Sequence, residues 1–143
     1  MERQPVLTAD EVQAFLHEVF PQQRGLQQIE AIGPMTARVR MIIGEAHLRP
    51  GGTVSGPAMF TVADCAFYAA VLGMIGREAL TVTSNLNINF LRKPAADRDL
   101  ICEARILKLG RLLATGDMTV RSEGQEAPVA HATTSYAIPP KTG

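Results

Sequence analysis

Asp64 is the only charged residue between Pro57 and Ile75, the most apolar stretch of the chain. A carboxylate in such surroundings loses hydration unless a partner or a cleft compensates, so it either anchors a buried polar contact or performs chemistry. Thr61, Asp64 and Tyr68 stand at i, i+3 and i+7, which on a helix is one face, with Cys65 beside them and Pro57 one turn below. The same face leads to the helix's first turn, where unsatisfied N–H groups and the helix dipole favour a negative charge. An oxyanion at Gly56 combined with a carboxylate two turns away suits acyl transfer. Backbone donors stabilise the tetrahedral oxygen, while the carboxylate activates water or attacks the carbonyl itself. The stripe also fits a structural role, in which Asp64 accepts hydrogen bonds from Thr or Tyr hydroxyls and fixes the helix register.

The elements that must position this stripe follow from pattern. Residues 8–20 carry a helix-start signature, with Thr8 or Asp10 as N-cap and Val12, Phe15, Leu16 and Val19 at helical spacing, and Pro21 ends the helix. Residues 26–32 and 35–43 form a strand pair around Gly33-Pro34. A glycine-rich segment then leads into the central helix, expected over about 57–75 with its start at Gly56 or Pro57, proline being suited to the first turn. In residues 80–91, Val82, Leu86, Ile88 and Phe90 oppose Thr83, Asn85, Asn87 and Asn89 at period two, which places Thr83 on the polar face. Strands over 100–109, 112–121 and 129–138 complete the order. A helix apolar almost all round must be enclosed, so the expected fold class is α+β, one antiparallel sheet wrapped on a central helix. Six strands cover such a helix incompletely, which implies self-association.

Length and composition bound the function. The 143 residues fit a single domain, 1–143, with one core. Lys plus Arg equals Asp plus Glu at 14 each, so the field that gathers nucleic acid or an anionic membrane is missing. The central run is close to the minimum length for a membrane span, but Asp64 near its middle and its alanines argue against one. Cys65 and Cys102 lie in apolar segments and suit reduced thiols; together with an N-terminus that does not read as a signal peptide, they point to the cytoplasm. His17, His47 and His131 have no metal-ligand spacing, and phosphate-loop, dinucleotide and nucleophile-elbow patterns are missing, so neither a metal nor a cofactor is expected.

Gly51-Gly-Thr-Val-Ser-Gly-Pro-Ala-Met-Phe-Thr-Val-Ala-Asp-Cys-Ala66, then Thr81-Val-Thr-Ser-Asn-Leu-Asn-Ile-Asn-Phe-Leu-Arg-Lys-Pro94 and Lys108-Leu-Gly-Arg-Leu-Leu-Ala114, resemble the hotdog-fold acyl-CoA thioesterases of the phenylacetate-pathway type. The resemblance covers roughly residues 30–138. It implies a hydrolase that cleaves an acyl-CoA thioester to free acid and CoA. Asp64, eight residues after Gly56, would be general base or nucleophile, and the Gly56 N–H would polarise the carbonyl. Thr83 matches a hydroxyl that helps place water. The resemblance also implies a homodimer, or a tetramer built as a dimer of dimers, with each site between two protomers.

Ser55 stands where these proteins usually have His, Pro57 replaces their second glycine, and Arg49 stands where Asn or Gln is common. Arg49 could pair with a neighbour's Asp64 or bind a substrate phosphate or carboxylate. Ser55, Thr61 and Tyr68 are candidate substrate contacts, and Ser55 can equally serve as the cap of the central helix. Lys108 and Arg111, flanking a hairpin turn, are candidates for the nucleotide end of coenzyme A. The alternative function is a non-catalytic hotdog protein that binds acyl-CoA or an aromatic ligand.

Overall fold

Thr8 opens helix α1 (Ala9–Val19), with its hydroxyl accepting from Glu11 N at 3.2 Å and the Glu11 carboxylate accepting from Thr8 N at 3.0 Å. This reciprocal capping box makes Thr8, not Asp10, the N-cap. Val12, Phe15 and Leu16 form its buried face, and the chain turns away at Pro21. The computed structural model describes residues 3–23 and 25–140; Met1 and Glu2 of the N-terminal stretch, Arg24 and residues 141–143 lie outside the described residues.

Helix α2 (Gly56–Ile75) begins at the earlier of the two expected starts, because Ser55 caps it, accepting from Ala58 N at 3.2 Å. It stops at Gly76, whose φ of 100° lies in the left-handed region that favours glycine. Its 20 residues span about 30 Å at the usual helical rise. By length and composition α2 could cross a membrane, but 72% of its most apolar window is buried inside this domain, as befits a core helix.

The strands are β1 (Gln27–Gly33), β2 (Thr36–Met41), β3 (Leu48–Arg49), β4 (Thr53–Val54), β5 (Val82–Phe90), β6 (Leu100–Leu109), β7 (Leu113–Ser122) and β8 (Ala130–Ala137). Six of them form one sheet in the order β1-β2-β6-β7-β8-β5, with every neighbouring pair antiparallel. The sheet packs on α2, giving the expected α+β hotdog arrangement. β3 and β4 are a separate two-strand hairpin that alternation did not reveal. Gly51 and Gly52, at φ 98° and 75°, make its turn. β5 does not pair with β6 as consecutive strands would. Residues 91–99 carry the chain across to β2, leaving β5 on the edge beside β8. That crossover sets Thr83 opposite Tyr136.

The core between sheet and helix contains Val39, Val62, Phe67, Leu72, Leu100, Met118 and Tyr136, all at most 1% exposed. A Cβ on Gly116 would lie 2.0 Å from the Arg105 carbonyl oxygen and 2.5 Å from the Phe67 ring, so only glycine lets β7 approach both. At one end, Arg40 binds Glu30 at 2.7 Å, Asp99 at 3.0 Å and Glu123 at 2.7 Å, tying β1 and β2 to the turns flanking β6 and β7.

Candidate active site

Thr83 pairs with Tyr136 and Asn85 with Ser135, so two steps along β5 match one along β8 and Ser84 is the extra residue of a β-bulge. Strict alternation puts Thr83 on the polar face with Asn85, but the bulge reverses its direction and turns it toward α2. Its hydroxyl donates to Asp64 Oδ1 at 2.7 Å. The Tyr136 hydroxyl reaches the same residue from β8, donating to the Asp64 backbone carbonyl at 2.8 Å and making a short contact with Oδ1. Oδ1 is thus held from two strands, while Oδ2 accepts no hydrogen bond from the described residues.

Tyr136 is the residue that motif reading missed. It lies in the buried alternation Ala130, Ala132, Thr134, Tyr136, and a tyrosine on a buried face signals a hydroxyl in need of a partner. Burial, followed by the Asp64 charge, pushes its phenol above the ordinary value of 10.0, so it stays protonated and acts as a donor. Cys65 is pushed up to about 12, first by burial and then by Asp64, so its thiol is a poor nucleophile at neutral pH.

Asp64 opens onto a cleft of about 360 Å³ walled by the stripe residues Thr61, Cys65 and Tyr68, and by Phe60, Thr83 and Tyr136. The stripe is therefore brought together, yet its other hydroxyls face elsewhere. Thr61 Oγ1 donates to the Pro57 carbonyl at 2.9 Å and Tyr68 Oη to the Ala79 carbonyl at 3.1 Å. Phe20, just past α1, closes one side with its ring edge-on to Tyr68 at 5.9 Å.

Gly56 is the first residue of α2, where an N–H has no intrahelical acceptor. Phe90 covers the spot where a Cβ would stand on Gly56, its nearest ring atom 3.3 Å away. Eight residues of helix separate Gly56 from Asp64, about 12 Å along the axis, so one thioester cannot touch both in the same protomer. Ser55 serves as the cap of α2. Arg49 is exposed in β3, while Lys108 and Arg111 are exposed on either side of the β6–β7 turn, where Gly110 N donates to the Leu113 carbonyl at 2.8 Å. None of these basic residues lines the Asp64 cleft.

A larger recess of about 570 Å³ opens on the outer face of β1, β2, β6 and β7. Its charges are engaged with one another: Arg38 with Glu30 at 3.1 Å, Arg105 with Asp117 at 3.1 Å, and Glu103 with Arg121. The smaller cleft is the better candidate, because its carboxylate is held by two hydroxyls, whereas the carboxylates lining the larger recess are paired with arginines. No group of three or more His, Cys, Asp or Glu side chains suited to a metal occurs among the described residues.

Residues 51–129, which carry the helix cap, Gly56, Asp64 and Thr83, match the family model described as Thioesterase superfamily. A candidate thioesterase of Silicibacter sp. TM1040 is 51% identical and superposes with a TM-score of 0.90, over 98% of this chain and 97% of that one. A variant of the phenylacetic acid degradation protein PaaI from Thermus thermophilus is 25% identical, with a TM-score of 0.72 over 83% of this chain and 99% of that one. A candidate esterase of Deinococcus radiodurans is 33% identical over 96 residues, 67% of this chain, and the match spans only 62% of that relative's length. The sequence match and the shared architecture, with one sheet curled on a helix that opens at Gly56, agree: the chain belongs to the thioesterase superfamily.

Proposed function

We propose that this protein hydrolyses an acyl-CoA thioester to the free acid and coenzyme A. One observation carries the reading: Asp64 sits in an open cleft with Oδ1 held by Thr83 and Tyr136, and with Oδ2 unengaged among the described residues. Fixing one oxygen orients the other, as a general base or nucleophile requires. Acting as base, Oδ2 takes a proton from water as the water oxygen adds to the thioester carbonyl. The tetrahedral intermediate then expels the CoA sulfur, which leaves as thiol once it regains that proton. Acting as nucleophile, Asp64 adds to the carbonyl and the C–S bond breaks, expelling the CoA thiolate and leaving an anhydride that water cleaves in a second step to the free acid and the restored carboxylate. Neither route requires a metal or cofactor.

The oxyanion needs an N–H within about 3 Å. Since a protomer's own Gly56 is some 12 Å from its Asp64, the donor in this reading is Gly56 of a second copy. β5 suits that assembly, as a nine-residue edge strand with neither charge nor proline to block further pairing. A homodimer, alone or doubled into a tetramer, would set two sites across the join. Arg49, Lys108 and Arg111 are the proposed contacts for the anionic end of CoA. Among structures that share the fold, a thioesterase protein of Streptococcus pneumoniae was solved with coenzyme A. The phenylacetate-pathway type and a cytoplasmic location remain part of this proposal.

The test is a panel of acyl-CoAs followed by free-thiol release, run beside Asp64→Asn. Turnover by the parent chain and its loss in a folded variant are expected. Stabilisation by acyl-CoA without thiol release would select the alternative, a non-catalytic binder.

A further inference from the structure

Thr134 is buried in a strand face otherwise built from Ala130, Ala132 and Tyr136. Valine has the same shape, so packing alone does not call for a hydroxyl there, and a buried hydroxyl must be served. It donates to the main-chain carbonyl of Asn85 in β5 at 2.6 Å. Ser84 and Asn85 together stand opposite Ser135, so that carbonyl belongs to the bulge itself, where the extra residue disrupts the ladder. The neighbouring hydroxyl of β8 is turned the other way, with Ser135 Oγ 3.5 Å from Thr115 Oγ1 on β7.

Where the bulge falls decides what Asp64 meets. Counted back from the pair Leu86–Thr134 without an extra residue, Ser84 would stand opposite Tyr136 and Thr83 opposite Ala137. Ser84 and Val82 would then face the helix, and Thr83 the outer side. Apolar alternation favours that unbulged register, because the bulge leaves Val82 on the outer side and 54% exposed. Within the protomer β5 has a single neighbour, β8, so no second strand of the same chain holds the bulge from its other side. Something on β8 must therefore offset the pull of the pattern, and the Thr134 hydroxyl is bonded at that spot. A local rule broken at a candidate site, with a compensating bond beside it, marks a feature kept for function.

We propose that Thr134 is a positioning residue of this site: its hydroxyl pins the bulge at Ser84 and so sets Thr83, not Ser84, against the carboxylate of Asp64. This rests on the reading of Asp64 as the reacting group, and deepens it.

The test is a double-mutant cycle of Thr134→Val with Thr83→Val, read by thiol release and by the NMR signal of the Asp64 side-chain carboxyl carbon. Thr134→Val alone is expected to lower kcat/KM about fivefold, the value of one ordinary hydrogen bond, with Thr134→Ser restoring it and Thr134→Ala standing in if the valine variant fails to fold. On the Thr83→Val background the same change should cost less than about twofold, because the residue it acts through is gone, whereas independent effects would multiply. The carboxyl signal should move in the same direction in both single variants and no further in the double. Ser135→Ala, whose hydroxyl is directed to β7, should match the parent in rate and signal. A parental rate and signal in Thr134→Val overturns the inference, as does a loss that multiplies with that of Thr83→Val. A carboxyl signal that follows Thr134 with no thiol release from any acyl-CoA leaves the inference standing and refutes hydrolysis. Thiol release that is lost in Asp64→Asn but indifferent to Thr134→Val does the reverse.

Discussion

The hydroxyl of Tyr136 donates to the backbone carbonyl of Asp64 at 2.8 Å and also meets the carboxylate of the same residue, so β8 fixes both the main chain and the side chain of this position. Tyr136→Phe keeps the ring, which packs on Phe67 with centroids 5.0 Å apart, and removes only the donor. A hydrogen bond to a charged group contributes about 1.5–3 kcal/mol. The expected result is a lower melting temperature together with a fall in kcat of about tenfold or more, measured by thermal denaturation and thiol release.

Thr83→Val removes the other donor to Oδ1 without changing shape. Its kcat/KM is expected to fall by about tenfold, while Thr83→Ser stays within about threefold of the parent. Equal activity in the valine and serine variants would show that the Thr83 hydroxyl does not support the carboxylate.

Gly56 and Asp64 are expected to act across two protomers. Asp64→Asn and Gly56→Pro, which lacks the N–H, should each be inactive alone. Mixed by unfolding and refolding together, random pairing would give about half heterodimers, each with one intact site of two. Recovery of about a quarter of parental activity is the expected outcome. Failure of a folded mixture to recover any activity would point to sites built within one chain.

Gly116→Ala tests the close contact of β7 with α2. Its Cβ would meet the Arg105 carbonyl at 2.0 Å and Phe67 at 2.5 Å, so the strand must move. Overpacking of this kind costs about 1–3 kcal/mol or more, readable as a shift of the urea midpoint.

Asp117 supplies a pH dependence of stability. Burial by itself raises its pKa, but hydrogen bonds from Arg105 and His131 outweigh this and hold it below the ordinary 3.8. A folded pKa below the unfolded one adds stability that is present above about pH 4 and is lost as pH falls through the folded value. Melting temperatures measured from pH 6 to pH 2 should therefore fall less steeply for Asp117→Asn than for the parent across the acid end.

The carboxylate, its helix and the fold class were legible because each rests on local pattern. A lone charge in an apolar run, a cap at Ser55 and period-two strands are properties of neighbours in sequence. Tyr136 was missed because it lies 72 residues from the group it serves, in a strand whose alternation shows burial and not a target. The β3–β4 hairpin was missed because two-residue strands are too short to show a period.

By itself the sequence determined that a buried helix carries Asp64 on a polar stripe and that strands must enclose it, since apolar periodicity and local capping are short-range effects. Only the tertiary structure decided what Asp64 touches. The crossover of residues 91–99 makes β8 the neighbour of β5, and the bulge at Ser84 turns Thr83 from the solvent face to the helix. An inserted residue reverses side-chain direction without altering composition, and strand pairing is settled by long-range packing, so neither leaves a local trace in the chain.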